Sequence, residues 1–420
     1  MLPARAHHAR QSPVGGHRPE TRVSIDRGGW LLFGGHLLSG LGGGPFVAFG
    51  AIYQHQLGAS ALEIGILAGL GMVIATLVML PGTPLAEWDL RKTILIGWVI
   101  AIPAPLFYAI APHWTWTGIG LLFMQASVIN APAISVYLST GVPRDRIAMV
   151  MTTVLSAYSI GLIISDLLAG WLAQVAPIRT TFWMSFVAYA LAAVCIAFLP
   201  AKRQPRTAAA PVRYRDLMQF PAYKVMLGLF TVVTVVIFIP WNFTALYARE
   251  VGGVSNIWIG ALMGVLYLGS VAIGLSLGRL RKTLGSPSIV LVFEAAYVLS
   301  AILLLASSAL PLLAVAFFLR GGFWSFRQVM TAVIGEVLPD QAMARGYGLF
   351  SLMTSAAVIV AYPIGGWMYG HGMAMPFWSS AILMALTMFL TIAVRAYFRA
   401  NYLRPRQIEP ESDAAMPQAA

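Results

Sequence analysis

Four ionisable residues lie inside long apolar stretches of the sequence: Asp166, Glu294, Arg320 and Arg327. A charged side chain at the centre of a membrane-spanning helix costs about 2.5 to 3.5 kcal/mol on insertion scales, so each of these residues is predicted to have a function or a buried partner. The two arginines occur in AFFLRGGFWSFRQVM, seven residues apart. That spacing places both on one face of a helix, which must face protein or a water-filled cavity.

The expected surroundings of the two arginines differ. Glu294 lies in the preceding apolar stretch at a depth similar to that of Arg327, so the two side chains could form an ion pair. Such a pair is either a static contact or a switch in which the carboxylate takes up a proton and releases the arginine. Arg320 has no acidic neighbour in its own half of the chain. It remains unpaired unless Asp166 reaches it from the other half. An unpaired guanidinium can bind a carboxylate, phosphate or sulfonate in a fork, or donate to carbonyls and stack on Trp324.

The composition identifies the elements that must position these residues. The chain has 420 residues, of which 59% are hydrophobic and 10% are charged, whereas soluble domains have about 25% charged residues. A helix of about 20 apolar residues crosses a bilayer. We therefore predict an all-α integral membrane protein with twelve transmembrane helices, at about 29–54, 61–84, 93–112, 115–139, 147–175, 180–199, 222–248, 256–278, 287–308, 310–337, 345–370 and 375–397.

The positive charge is distributed asymmetrically between the two sides of these spans. The net charge is +12, and all but four of the 27 Lys and Arg residues fall on one side if the amino terminus is cytoplasmic. The exceptions are Arg179 and Arg249 in loops on the other side and the two arginines of the tenth span. This is the positive-inside pattern, which predicts two cytoplasmic termini in a bacterial inner membrane and argues against a nucleic-acid partner.

The two halves of the chain resemble each other at an offset of 195 or 196 residues, which indicates a duplicated six-helix unit. The matching pairs are Pro45 with Pro240, Ser60 with Ser255, IGILAG from Ile64 with IGALMG from Ile259, and GW at 170–171 with GW at 366–367. The predicted organisation is a cytoplasmic tail at 1–28, six-helix bundles at 29–199 and 222–397, a cytoplasmic linker at 200–221 and a second tail at 398–420.

This architecture resembles the major facilitator superfamily of secondary transporters, whose fold has two pseudo-symmetric six-helix bundles. The family signature after the second span runs Gly-x-Leu-Ala-Asp-Arg-x-Gly-Arg-Arg/Lys. PLAEWDLRK keeps its Leu, Ala, Arg and Lys, replaces the aspartate by Glu87 and puts Leu90 at the second glycine. The second copy, GRLRKTLG from Gly278, has Lys282 at the acidic position. In the fifth span, GLIISDLLAG matches the antiporter signature only at Gly161 and Gly170, with Asp166 in place of proline.

The resemblance implies two groups of functional residues. Spans 1, 4, 7 and 10 of the family line a central cavity, which makes Arg320, Arg327 and Trp324 a wall of the substrate path and adds His36, Gln125, Asn130, Trp241 and Asn242 as candidates. Signature loops lock the cytoplasmic gate through ion pairs, which implicates Glu87, Arg91, Lys92, Arg279, Arg281, Glu336 and Arg345. Packing by His36 and solvation of the loop charges are the alternatives.

Local signals predict where particular spans start or bend. Ser60 and Glu63 have the spacing of a capping box, which is typical of a helix start. Pro132 and Pro240 are predicted to interrupt the fourth and seventh spans, which is tolerated only where protein or water satisfies the freed carbonyls. The single cysteine, Cys195, excludes an intramolecular disulfide.

We expect a proton-coupled carrier for a small organic solute, anionic or amphiphilic, that works by alternating access with a lean towards efflux. The sequence contains no motif of ATP hydrolysis or covalent catalysis, so we expect neither an enzyme nor a cofactor, and a monomer in the bilayer. Two alternatives remain open: a non-transporting assembly or binding factor for pigment, lipid or a membrane partner, and a lipid flippase.

Overall fold

The computed structural model describes residues 25–202, 214–284 and 286–401. Within these ranges the regular structure is helical. The first part contains helices α1 (Arg27–Gln56), α2 (Ala61–Trp88), α3 (Leu90–Ala101), α4 (Pro103–Ala109), α5 (Trp114–Ala126), α6 (Ala131–Ser139), α7 (Arg144–Val175) and α8 (Arg179–Ala197). The second contains α9 (Tyr214–Leu217), α10 (Pro221–Phe238), α11 (Thr244–Glu250), α12 (Asn256–Leu284), α13 (Ser286–Ala306), α14 (Leu310–Val337), α15 (Asp340–His371) and α16 (Met375–Asn401).

The helices form the predicted membrane spans. Among the described residues, 11 segments are long and apolar enough to cross a bilayer, and the apolar stretch Leu310–Trp324 belongs to α14. Helix α14 is the tenth predicted span, and it carries Arg320 and Arg327. The all-helical membrane fold predicted from composition is therefore confirmed.

Proline interrupts two spans at the predicted places. The fourth span consists of α5, a 3-10 turn at Ser127–Asn130, and α6, in whose first turn Pro132 lies. The seventh span consists of α10 and α11 joined by a 3-10 turn at Trp241–Phe243, directly after Pro240. Proline has no backbone N–H and clashes with the preceding turn, which explains both breaks.

Helix α2 starts as the capping-box spacing predicts. The Ser60 side chain accepts from the Glu63 backbone N–H, and the Glu63 carboxylate accepts from the Ser60 N–H at 2.7 Å. Gly58, in the turn before this cap, has a φ of 91°, and Gly253, 195 residues later, has a φ of 62°. A left-handed turn thus occurs at equivalent places in the two halves, where glycine has no steric penalty.

The spans pack in two sets that meet along two pairs of helices. In the first set, α1 packs on α7 and α8; in the second set, α12 packs on α14, and α13 packs on α14 and α16. The sets meet where α2 packs on α15 and α7 on α12. We call the end of the molecule that contains the turns at Gly58 and Gly253 the closed end, because the described contacts between the sets lie in that part.

Candidate functional site

A cavity of about 720 Å³ lies between the two sets and contains both arginines of α14. It extends from Gln54 and Ala245 near the closed end to Met330 and Phe350 further along the spans. Among its described lining residues Arg320 and Arg327 carry charge, and none is Asp or Glu. The cavity is therefore positively charged, and its remaining wall consists of aromatic, apolar and neutral polar side chains.

Arg320 is the largest fully buried side chain of the described residues, with 1% exposure. Its Nη2 donates to the Tyr297 hydroxyl at 3.3 Å, and that hydroxyl donates to the Ile237 carbonyl at 3.2 Å. The guanidinium lies 5.1 Å from the Tyr297 ring centre and 6.0 Å from that of Trp241. Arg320 Nε and Nη1 have no hydrogen-bond partner among the described residues. The predicted absence of an acidic partner holds there. The ring nearest to the guanidinium is that of Tyr297, followed by Phe377 at 5.9 Å and Trp241, rather than the predicted Trp324.

Aromatic rings surround this part of the cavity. Trp241 packs against Phe323 and Trp324, with ring centres 5.4 and 6.2 Å apart. Phe238 contacts Phe323 at 5.0 Å and Tyr362 at 5.5 Å. These rings come from three spans, and one of them, Trp241, lies 6.0 Å from the guanidinium, so an apolar or aromatic group and an anionic group could be held side by side.

The proposed ion pair between Glu294 and Arg327 does not form. Glu294 has no exposed surface, and its Oε1 accepts from Thr391 Oγ1 at 2.9 Å. This contact ties α13 to α16, away from the cavity. Arg327 instead points into the cavity, where its side chain is exposed. The similar depth of the two residues suggested a pair, but the rotation of α13 about its own axis, which the sequence does not reveal, turns Glu294 away.

Asp166 is buried at the contact between the sets and does not reach Arg320. Its side chain has no exposed surface, and neither carboxylate oxygen has a partner among the described residues. It lies beside Gly44 of α1, whose missing Cβ would be 2.8 Å from Asp166 Oδ1. An uncharged, protonated carboxyl is the form that such a site favours.

The remaining predicted cavity residues divide into two groups. Gln125, Trp241 and Asn242 line the cavity as expected. His36 does not: its Nδ1 lies 2.8 Å from the Leu32 carbonyl and its ring packs on Trp98, so the alternative of a packing residue holds. Asn130 also packs inside the first set, against Gly97.

Two predicted gate residues have described side-chain contacts. Arg91 Nη2 donates to the Ala197 carbonyl at 2.8 Å, which joins the start of α3 to the end of α8. Lys92 lies 3.5 Å from Asp89, which also caps α3. Arg345 is half-buried. The side chains of Glu87, Arg279, Arg281 and Glu336 lie outside the described residues, so their predicted gate contacts stay predictions.

The closed end is held by contacts that the sequence interpretation did not include. His55 Nε2 of α1 lies 3.0 Å from Glu250 Oε1 of α11, and Tyr369 donates to Glu250 Oε2 at 2.9 Å. Asn256 donates to the Ala173 carbonyl at 2.7 Å, again between the sets.

Glycines allow the backbones of the two sets to touch at this end. A Cβ on Gly65 of α2 would lie 3.2 Å from the Gly366 Cα of α15. A Cβ on Gly170 of α7 would lie 3.0 Å from the Gly260 Cα of α12. No side chain separates the helices at these two points. The seam between the sets, where α2 meets α15 and α7 meets α12, is therefore closed by backbone packing.

Sequence reasoning also missed two polar groups of the site. Gln54 lines the cavity and donates to the Tyr108 and Thr117 hydroxyls at 3.2 and 3.1 Å. Tyr297, which orients Arg320, looks like an ordinary aromatic residue in an apolar span. A polar residue near the end of the first span could have been found as a cavity candidate, whereas the sequence has no signal for Tyr297.

Comparisons with known proteins agree on family and fold. The sequence model described as Major Facilitator Superfamily matches residues 32–326. No curated protein sequence matches the chain. Solved structures match over most of their length, although their sequences are distant and indicate the fold alone.

Three of these structures illustrate the range. A point mutant of the nucleoside transporter NupG has a TM-score of 0.76 at 13% identity and covers 89% of this chain and 100% of its own. A POT family transporter in complex with a thioalcohol-conjugated peptide has a TM-score of 0.71 at 12% identity, with 89% and 96% covered. The human organic anion transporter MFSD10 has a TM-score of 0.62 at 15% identity, with 87% and 99% covered. With more than half of its residues matched by the family, a helical fold shared with these carriers and a cavity between two sets of spans, the chain belongs to the Major Facilitator Superfamily of secondary transporters.

Proposed function

We propose that this transporter carries a small organic anion with an apolar or aromatic body, by alternating access and coupled to protons. The similar structures are named for nucleosides, peptides and organic anions, so the chemistry of this cavity must decide the substrate class. One observation carries the proposal: Arg320 is buried beside the cavity without an acidic partner among the described residues. An unpaired buried cation is costly, and a bound anion would remove that cost.

The aromatic residues support an amphiphilic rather than a fully polar substrate. Trp241 lies near the guanidinium and packs against Phe323 and Trp324, and the faces of these rings favour flat or apolar groups. Gln54 and Gln125 supply neutral hydrogen-bonding groups from the opposite set. A substrate held by both sets can respond to their relative movement, as alternating access requires.

The charge distribution supports an orientation in which the closed end faces outward and both termini are cytoplasmic. In that orientation, which we infer for a bacterial inner membrane, the closed end makes the carrier inward-facing. The partial antiporter signature around Gly161 and Gly170 supports export as the direction. Labelling of a Thr115→Cys variant by a membrane-impermeant thiol reagent tests the orientation, because Thr115 is exposed at the closed end. Labelling only in inverted vesicles would contradict it.

Asp166 is our candidate for the proton-coupling group. It is buried, unpartnered among the described residues and placed where α7 meets α12, so a movement of the two sets that admits water would change its protonation. Asp166→Asn is expected to keep anion exchange between two pools but to abolish accumulation driven by a pH gradient. A variant that still accumulates substrate would assign coupling to another group.

Flux measurements in proteoliposomes test the substrate class. A panel of matched aromatic carboxylates, neutral amides and amines is assayed by counterflow, with and without a pH gradient. Flux of the carboxylates alone is expected. Loss of one partner of a buried charge pair costs about 2 to 5 kcal/mol, so Arg320→Gln should weaken substrate binding by about 30-fold or more.

Two further variants sharpen the test. Arg320→Lys keeps the charge but loses the planar fork, and it should recover little of the flux. The matched control Arg215→Gln removes an exposed arginine outside the cavity and should transport normally. Equal flux of anions and amines through the wild type, or normal anion flux through Arg320→Gln, would contradict the proposal. Tight anion binding without any flux would favour a binding factor instead.

A further inference from the structure

A second pocket, of about 460 Å³, lies at the closed end, separate from the central cavity. Its lining includes Tyr53, Gln56, Ala176, Arg179, Arg249 and Asn256. Arg179 and Arg249 are the two loop residues that depart from the charge asymmetry. They are predicted to lie in loops on the outer side, whereas the other Lys and Arg residues of loops and tails are predicted on the cytoplasmic side. Both of these exceptions thus line one pocket.

The pocket is positively charged. None of its described lining residues is Asp or Glu. Glu250 directly follows Arg249, but its two oxygens are engaged by His55 at 3.0 Å and Tyr369 at 2.9 Å. Arg249 Nη1 is buried and has no hydrogen-bond partner among the described residues. The donors of this arginine are therefore not all used within the described part of the protein, and Arg249 lines the pocket.

The two arginines come from different sets of spans. Arg179 begins α8 of the first set, whereas Arg249 lies in the last turn of α11 of the second set. The inter-set hydrogen bond from Asn256 to the Ala173 carbonyl, 2.7 Å long, lies beside them. The pocket exists in this form only while the two sets are in contact at the closed end.

The geometry points to a tetrahedral oxyanion, phosphate or sulfate in type, as the ligand of this pocket. A guanidinium binds two oxygens of such a group in a fork, and a tetrahedral anion has oxygens left for a second guanidinium, whereas one fork occupies both oxygens of a carboxylate. The backbone N–H groups at the start of α8, a 19-residue helix without a side-chain cap, add to the positive potential.

Binding of this anion stabilises the closed end. A ligand that needs arginines from both sets binds the closed arrangement more tightly than the open one, and by linkage it shifts the population towards the closed arrangement. A tenfold preference in affinity gives up to about a tenfold shift in the ratio of the two states. This effect is independent of which solute the central cavity carries, so a failed flux assay would not affect it.

A distance measurement between the two sets tests the inference. Spin labels at Thr115→Cys and Met373→Cys, both exposed near the closed end, are introduced with Cys195→Ser, and double electron–electron resonance reports the separation of the sets. In nanodiscs of phosphatidylcholine, added sulfate or phosphate at constant ionic strength should increase the short-distance population. The unfolding midpoint, followed in the same titration, should rise even if the closed state already dominates.

Variants and lipid composition separate the possible sources of the anion. Arg179→Gln and Arg249→Gln should each lose both responses, while the control Arg215→Gln keeps them. If nanodiscs containing phosphatidylglycerol give the full effect without added salt, the anion is a lipid headgroup; if only the free ion acts, it is a solute. Responses that are absent in both membranes, or that persist in the two pocket variants, would overturn the inference.

Discussion

At the scale of single residues, the buried charges of this transporter are kept apart. Arg320 is 1% exposed, and Asp166 and Glu294 have no exposed surface. None of the three forms an ion pair with another described residue. A buried pair of opposite charges would be satisfied in one fixed arrangement. Separate buried charges can instead respond individually to a proton or to a substrate anion, which suits a protein that must alternate between two states.

The position of Glu294 predicts a structural role for its carboxyl group. Its Oε1 accepts from Thr391, and its Oε2 has no partner among the described residues. The neutral amide of Glu294→Gln reproduces the hydrogen bond to Thr391, so stability should change by less than about 1.5 kcal/mol and proton-driven flux should persist. The melting midpoint and the accumulation of substrate under a pH gradient are the measurements. If Glu294→Gln melts normally but loses gradient-driven flux, the proton-switch interpretation of Glu294 and Arg327 is restored.

A second residue-scale prediction concerns Asp26 at the start of α1, outside the spans. Burial raises the pKa of this carboxyl, but the contacts with Lys202 Nζ at 2.9 Å and the Gly29 N–H at 2.8 Å together hold the pKa below its usual range. A group with a lower pKa in the folded state stabilises the fold above its unfolded pKa, and this contribution is lost as the pH falls through the folded value.

Substitutions of Asp26 separate the charge from the helix cap. Asp26→Asn keeps the cap and removes the charge, so the difference in melting midpoint from the wild type should be present at neutral pH and vanish in acid. The exposed ion pair contributes at most about 1 kcal/mol. Asp26→Ala also loses the cap and should cost about 1 kcal/mol more. A wild-type advantage over Asp26→Asn that grows in acid would contradict this assignment.

At the scale of elements, the sequence predicted where the spans are but not which side of each faces the cavity. The spans interrupted at Pro132 and Pro240 follow from proline chemistry, which is local. The rotation of a span is not local, because lipid and protein neighbours are both apolar and an apolar helix lacks a marked polar face. His36 and Asn130 were therefore placed in the cavity although they pack inside the first set. Arg320 was placed correctly because its charge alone requires a protein or water environment.

The helix contacts at the seam predict the effect of a single methyl group. A Cβ on Gly260 would lie 2.8 Å from the Gly170 Cα, and one on Gly366 would lie 3.1 Å from the Leu62 Cα. Overpacking of such contacts costs about 1 to 3 kcal/mol. Because the cost applies only when the sets touch, Gly260→Ala and Gly366→Ala should shift the population towards opening of the closed end, by about 30-fold at the middle of that range.

The distance between spin labels on the two sets measures this shift. Gly370→Ala is the matched control, since it lies in the same helix as Gly366 and a Cβ there meets nothing within 4 Å. The control should leave the distance distribution unchanged. If Gly366→Ala also leaves it unchanged, the glycine contact does not hold the seam.

At the scale of the whole molecule, the same glycines explain why the two halves of the sequence match. Gly65 and Gly260 occupy the same place in IGILAG and IGALMG, and Gly170 and Gly366 occupy the same place in the two GW pairs. In the structure Gly65 contacts Gly366, and Gly170 contacts Gly260. Exchange of the halves therefore converts one contact into the other. The offset revealed the equivalent positions, but the pairing across the seam needs the relative placement of the halves, which the sequence does not contain.

The ion pair at the closed end allows a comparison of charge with backbone packing as the force that holds the halves together. His55 and Glu250 lie 3.0 Å apart with side chains 45% and 21% exposed, and exposed pairs contribute about 0 to 1 kcal/mol. His55→Gln or Glu250→Gln should thus open the closed end by no more than about fivefold, less than Gly366→Ala. Tyr369→Phe removes a bond to Glu250 within one set and should have a smaller effect still. Spin-label distances at neutral pH rank these variants, and a larger opening in His55→Gln than in Gly366→Ala would show that the ion pair, rather than the glycine seam, holds the closed state.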